Sequence, residues 1–213
     1  MGENEMKTAM LKFTAVAAGC LLSLSAAAAP IVDFTSEVTG NKADGYTVGG
    51  ISFYNTVASG YMDVEDYGVQ SFGNAIGAFD DTNGNALKMT FSPTNVISMS
   101  FGNDDPFFTN PGDLALLQVY NGASLVGFST VVLNRDDIMN QSISFSGGSF
   151  DSAIFSYVDP SFNPYTGGGG VNTGLIEIVD NISLVPEPET YAMLLAGLGL
   201  LGFMARRRKE SAV

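Results

Sequence analysis

The sequence predicts an all-β protein: a single antiparallel β-sandwich, of jelly-roll type, over residues 29–184. Three observations predict it. Apolar and polar residues alternate through most of the interior of the chain, the period-two pattern of strands with one buried face. Gly, Asn, Asp and Pro interrupt that pattern at short intervals, as the turns of a sandwich do. No stretch between residues 29 and 184 places apolar residues at helical spacing.

The elements follow in order. Residues 31–35 open with a strand, and residues 46–54 read as another, bent at Gly49-Gly50. Leu87, Met89 and Phe91 share one face, Pro93-Thr94-Asn95 turns the chain, and Ile97, Met99 and Phe101 line the next strand. Residues 113–120 and 125–133 are apolar on both faces and are joined by Asn121-Gly122-Ala123-Ser124, a strong hairpin signal. Ile143 and Phe145 form a short strand before Gly147-Gly148; Ala153, Phe155 and Tyr157 share a face on another. The run 167–170 is four glycines, read as a spacer because no Lys or helix follows it. Residues 175–184 form the last strand. Asp80-Asp81-Thr82-Asn83-Gly84-Asn85 is read as a hairpin loop: counted from Asp81, the twelfth position of an EF-hand is Ser92 rather than Glu.

Both flanks predict export. Lys7 and Lys12 precede an apolar stretch that ends in Ser25-Ala26-Ala27-Ala28-Ala29, a signal peptide over residues 1–28 with a small-residue cleavage site for signal peptidase. At the other end, Val185-Pro186-Glu187-Pro188 precedes an uncharged run, residues 191–205, and then Arg206, Arg207, Arg208 and Lys209. The two prolines make the approach to that run extended. Fifteen residues span roughly 22 Å as a helix, short of the ~30 Å hydrocarbon core, so such a helix inserts with local thinning or snorkelling. The basic cluster stays cytoplasmic and the body of the chain lies across the inner membrane. From the physics alone, a permanent anchor and a processed tag are equally good readings of residues 185–213.

That order of elements, a Pro-Glu-Pro turn, a short Gly/Leu-rich helix and a terminal Arg cluster, resembles the PEP-CTERM sorting signal. The resemblance implies an exosortase that cuts near Pro186-Glu187-Pro188 after transient residence in the inner membrane of a Gram-negative, polysaccharide-producing host. The product is then at the cell surface or in the extracellular matrix or biofilm. The resemblance implies nothing about what the exported domain binds.

Composition narrows the function. The chain has no His and no Trp, and its single cysteine, Cys20, lies in the predicted signal peptide. Triads built on His and the usual His-rich zinc sites are therefore excluded. The net charge is −13, and within residues 29–184 the only cations are Lys42, Lys88 and Arg135. Such a surface repels nucleic acid and anionic lipid and attracts hard cations.

Asp180 is the most informative internal residue. In strand alternation it shares a face with Ile176, Ile178, Ile182 and Leu184, which points a carboxylate at the core. Such a group must be paired, protonated, hydrogen-bonded by backbone N–H donors or bound to a structural Ca²⁺, unless a β-bulge turns the side chain outward. The stretch Ile178-Val179-Asp180-Asn181-Ile182-Ser183-Leu184 is similar to the last strand of carbohydrate-binding-module jelly rolls. That resemblance implies a calcium ligated by Asp180 with an acidic residue near the N-terminus of the domain, here Asp33 or Glu37. Phe101-Gly102-Asn103-Asp104-Asp105-Pro106 reads as ordinary turn chemistry, and Arg135-Asp136-Asp137 as a solvated turn with a local ion pair. Tyr61, Tyr67, Phe107, Phe108, Phe162 and Tyr165 lie in breaker-rich segments, as loop anchors or as rings to stack on sugars. No pair of carboxylates is singled out as facing across a cleft, as glycoside hydrolysis requires. Three functions follow in order: a non-catalytic exported matrix protein associated with extracellular polysaccharide, a carbohydrate-binding module with a defined glycan site, and a polysaccharide hydrolase using Asp or Glu.

Overall fold

The computed structural model describes residues 31–79, 85–163, 175–186 and 197–199. The predicted signal peptide, residues 80–84 of the acidic hairpin loop, the glycine run, Tyr165, Glu187, Pro188, Arg206, Arg207 and Arg208 lie outside the described residues. Within the apolar run, residues 197–199 are helical. Among the described residues no helix is long and apolar enough to cross a membrane.

Eleven strands form among the described residues: β1 (Ile31–Val32), β2 (Gly40–Lys42), β3 (Tyr46–Val48), β4 (Ile51–Asn55), β5 (Tyr61–Asp66), β6 (Asn74–Phe79), β7 (Leu87–Gly102), β8 (Leu114–Asn121), β9 (Ser124–Val132), β10 (Gln141–Val158) and β11 (Glu177–Pro186). Every pairing is antiparallel. The all-β class read from the alternation is the class that forms.

Two long strands organise the sheet. β7 and β10 pair along most of their length, with register shifts between Ser146 and Phe150 and between Phe150 and Ser152. Beside Ser52–Asn55 of β4, the early part of β7 belongs to a wing ordered β3-β4-β7-β10-β8-β9. Beyond Thr94, β11 replaces β4 as its neighbour, and the wing reads β2-β5-β6-β11-β7-β10, with β1 added to β11. The wings fold over one another. Phe101 pairs in register with Gln141 and Phe155 with Leu87, yet their rings lie 5.5 Å apart across the interior. Phe34, Phe53, Phe101, Phe150, Phe155 and Tyr157 are fully buried in one continuous core. Each such ring contributes on the order of 1.5–3 kcal/mol relative to exposure.

Several expected boundaries are corrected. Residues 46–54 are not one bent strand. Val48 pairs with Ile51, and Gly49 and Gly50 take φ of +57° and +83°, which makes a tight hairpin. Pro93-Thr94-Asn95 does not end a strand: it lies inside β7, where the register breaks, which is where a strand tolerates Pro. Gly147-Gly148 likewise lies inside β10, and the ring of Phe145 sits where a Cβ on Gly147 or Gly127 would be. β9 is not buried on both faces; it is an edge strand with Leu125, Phe128 and Val132 about half exposed. The hairpin at Asn121-Gly122 forms with Gly122 at φ +58°. β11 runs past the expected boundary at residue 184 into Pro186, whose register partner is Thr94. The buried Thr94 hydroxyl donates to the Val185 carbonyl.

Candidate functional site

Asp180 is buried, 1% exposed, and keeps the face of Ile176 and Ile178, but that face is not the one Ile182 and Leu184 share. Ile176 and Ile178 pack with Ala75, Met139 and Tyr67 in a small satellite cluster, whereas Val179, Ile182 and Leu184 pack on the main core. A change of parity between Val179 and Ile182 requires an inserted residue. It is supplied by the register shift between Asp180 and Ser183, with Asn181 at φ +52°. The Asp180 carboxylate accepts the Asn181 N–H at 2.7 Å, and the backbone N–H groups of Phe72 and Phe34 also favour its charged form. Burial chiefly, and then the nearby Asp33, push its pKa up to about 6 against the lowering effect of those donors.

Asp33 and Asp180 are thus brought together, and Glu37 is not part of the pair. Asp33 Oδ1 accepts the Thr35 N–H at 3.2 Å, while Glu37 Oε2 accepts the Tyr46 hydroxyl at 2.6 Å. Ca²⁺ takes six to eight oxygen ligands. Among the described residues no group of three or more Asp, Glu, His or Cys side chains is placed to hold a metal ion. Asp33 and Asp180 suit a cation in charge and fall short of it in number.

The acidic turn proves more than turn chemistry. Asp104 is 2% exposed; its Oδ2 accepts the Arg135 N–H at 2.5 Å and its Oδ1 the Asp137 N–H at 2.9 Å. Arg135 donates through Nη2 to the carbonyls of Pro106 and Thr109, and through Nε to Thr109 Oγ1. Gln70 joins the group, donating to Asp137 Oδ1 at 2.6 Å. The 134–138 segment is therefore not a solvated turn with a local ion pair. It is pinned to residues 103–109, with Arg135 and Asp137 both at φ +61°. Burial, opposed by the Gln70 hydrogen bond and reinforced by Asp105, Asp104 and Asp136, raises the pKa of Asp137.

The candidate aromatics separate by role. Tyr61 stacks on Phe79 at 4.7 Å, and the Tyr67 hydroxyl donates to the Asp63 carbonyl, so both anchor β5 and its loop. Phe107 stands 82% exposed and Phe108 37% exposed in the turn after β7. Phe162 is different: it lies edge-on to Phe128, ring centroids 5.8 Å apart, over the outer face of β8, β9 and β10. Ala115, Leu117 and Val119 of β8 face the core, which leaves Leu116 and Gln118 facing outward. Gln118 pairs in register with Phe128, and Leu116 with Ser156. With Leu125 and Val158, these residues line a groove of about 420 Å³. The strand residues beneath the Phe162 ring, Leu116, Gln118, Phe128 and Ser156, are not among the residues that the sequence singles out. Two signals could have found them: the polar Gln118 in an apolar strand, and the uncharged edge strand opposite it.

A second hollow of about 170 Å³ lies beside β7, lined by Val32, Gly49, Gly50, Phe91 and residues 92–94 with Leu184. Neither cavity is lined by a titratable side chain.

The PEP-CTERM protein-sorting motif matches residues 184–209. It implies export, passage through the membrane, sorting to the cell surface and processing by an exosortase. No curated protein matches the chain. Among solved structures, the chain is similar to a DUF4465 family protein from Bacteroides caccae at 15% identity, over 78% of this chain and 97% of that one, with a TM-score of 0.44. It is similar to an arabinose-bound α-L-arabinofuranosidase, MgGH51, at 12% identity, over 77% of this chain and 27% of that one, with a TM-score of 0.46. It is also similar to the CBM22-1 xylan-binding domain of Paenibacillus barcinonensis Xyn10C at 13% identity, over 76% of this chain and 99% of that one, with a TM-score of 0.40. At these scores the likenesses bear on no residue.

Proposed function

We propose that this is a non-catalytic surface protein of a Gram-negative bacterium, released from its membrane tail by an exosortase, whose β-sandwich associates with extracellular polysaccharide or biofilm matrix. In this reading residues 1–28 are the signal peptide, 29–184 the cargo and 185–213 the sorting tail. The observation that carries it is the sorting motif, which begins within the last strand of the sandwich. The lack of titratable groups in both cavities supports a binding rather than a catalytic role. A polysaccharide hydrolase would instead show turnover on a polysaccharide panel that is lost on changing one Asp or Glu.

The test is mass spectrometry of the surface fraction and of the cell membranes. The expected surface product has lost residues 1–28 and everything C-terminal to the Pro-Glu-Pro element, and deletion of residues 187–213 abolishes surface display. Intact full-length chain soluble in the cytoplasm overturns the reading.

A structural Ca²⁺ at Asp33 and Asp180 is a separate proposal, favoured by the closeness of the two carboxylates and the raised pKa of Asp180. If it is bound, EDTA lowers the melting temperature. An unchanged melt with no metal by elemental analysis rejects it.

A further inference from the structure

We infer that the groove on the outer face of β8, β9 and β10 binds a neutral saccharide. This rests on the polysaccharide-association reading and names the site for it. The walls are the rings of Phe128 and Phe162. The Gln118 amide and the Ser156 hydroxyl line the same groove, and neither side chain has a hydrogen-bond partner among the described residues. A sugar ring presents an apolar C–H face and a rim of hydroxyls, so it matches rings that stack and an amide and hydroxyl that exchange hydrogen bonds. An alkyl chain or an apolar side chain would match the rings but leave those polar groups covered and unpaired.

The ligand is neutral for two reasons. No charged residue lines the groove, and β9 carries none along its length. The cations of the domain are also engaged elsewhere: Arg135 on carbonyls, Lys42 over the Tyr46 ring and Lys88 over the Tyr54 ring. The chain carries a net charge of −13 and its domain holds only these three cations among the described residues, which disfavours an anionic polymer.

The placement of Phe162 is built rather than incidental. Its φ is +66°, an outlier for a bulky residue, and its ring is nevertheless about half exposed. Asp159 enforces that conformation. Its carboxylate accepts the N–H groups of Ser161 and Asn163 and the Asn163 side chain, and its carbonyl accepts the Phe162 N–H. Backbone strain held by a closed set of hydrogen bonds, with an apolar ring left facing solvent, marks a position kept for contact rather than for folding.

The full chain in lipid nanodiscs is tested by affinity electrophoresis and biolayer interferometry against xylan, mixed-linkage β-glucan and galactomannan, with alginate and polygalacturonate as anionic controls. Saturable binding to at least one neutral polymer is expected. Affinity should fall roughly tenfold in Phe128→Ala and in Phe162→Asn, the latter keeping a residue at ease with positive φ. Gln118→Leu should weaken saccharide binding, whereas it would strengthen binding of an alkyl ligand. Neutral-polymer binding that is indifferent to all three variants overturns the groove and leaves polysaccharide association standing. Binding to the anionic polymers alone also overturns the groove as a neutral-saccharide site. No binding to any polymer overturns both.

Discussion

Where the 103–109 and 134–138 segments meet, Asp104, Arg135, Asp137 and Gln70 all have protein partners. On the outer face of β8, β9 and β10, Gln118 and Ser156 have none among the described residues, although both line a cavity. Residues of similar polarity have been spent differently. In the first region a buried carboxylate holds two loop N–H groups in left-handed backbone, so its polarity stabilises the fold. In the second, polarity sits among exposed rings and is left for something outside the chain. The first should be costly to disturb in stability, the second costly only in binding.

Breaking the first region should give the largest effect. Asp104→Ala leaves two N–H donors unmet and should destabilise the domain by about 3 kcal/mol, read by urea or thermal melts. A loss under about 0.5 kcal/mol would mean that the loops are held by other contacts. The next effect is pH-dependent. Asp180 has its folded pKa raised to about 6, above the usual value of an unfolded aspartate, so the fold favours the protonated form. Its contribution is fully present below about pH 4 and is lost as pH rises through 6. Between pH 4 and 7 the stability of wild type relative to Asp180→Asn should therefore fall, by about 2 kcal/mol, in parallel melts. A difference that is flat with pH removes the raised pKa, and a variant that is weaker throughout and insensitive to EDTA favours the calcium reading.

Smaller still is Thr94→Val, which keeps the shape of the side chain and deletes its donation to the Val185 carbonyl. It should cost about 1 kcal/mol and speed amide exchange at the end of β11. The smallest effect sharpens the contrast most. Phe162→Asn should alter the melt by less than about 0.5 kcal/mol, because the ring is half exposed and Asn tolerates the backbone there. A large destabilisation would make Phe162 a structural plug.

The alternation of Leu87, Met89, Phe91, Ile97, Met99 and Phe101 was enough to read the fold class, because one buried face writes itself into every second residue. Where both faces are covered that signal fails: β6 buries Ala75, Ile76 and Ala78, and nothing in so small and continuous a run separates strand from loop. In β5, Met62 and Val64 do alternate, but Asp63, Glu65 and Asp66 between them read as a turn. The bulge after Asp180 is not legible either, since a register shift is a property of two strands and alternation along one strand puts Ile182 and Leu184 on the face of Asp180. The groove was half legible. Phe162 stood out as a ring in a loop, whereas Phe128, Gln118 and Ser156 meet it only through the pairing of three strands.

β11 carries one more implication. It is an interior strand, paired on both sides, and Pro186 belongs both to it and to the sorting motif. Only residues 187–190 separate that strand from the apolar run. With the run embedded as proposed, at most about 17 Å of backbone links cargo to bilayer. The sandwich would then ride against the lipid with almost no slack until it is cut free. With the cut at the Pro-Glu-Pro element, as proposed, the scissile bond would lie close to a paired strand, and peeling the last residues of β11 off Thr94 would give the protease more room.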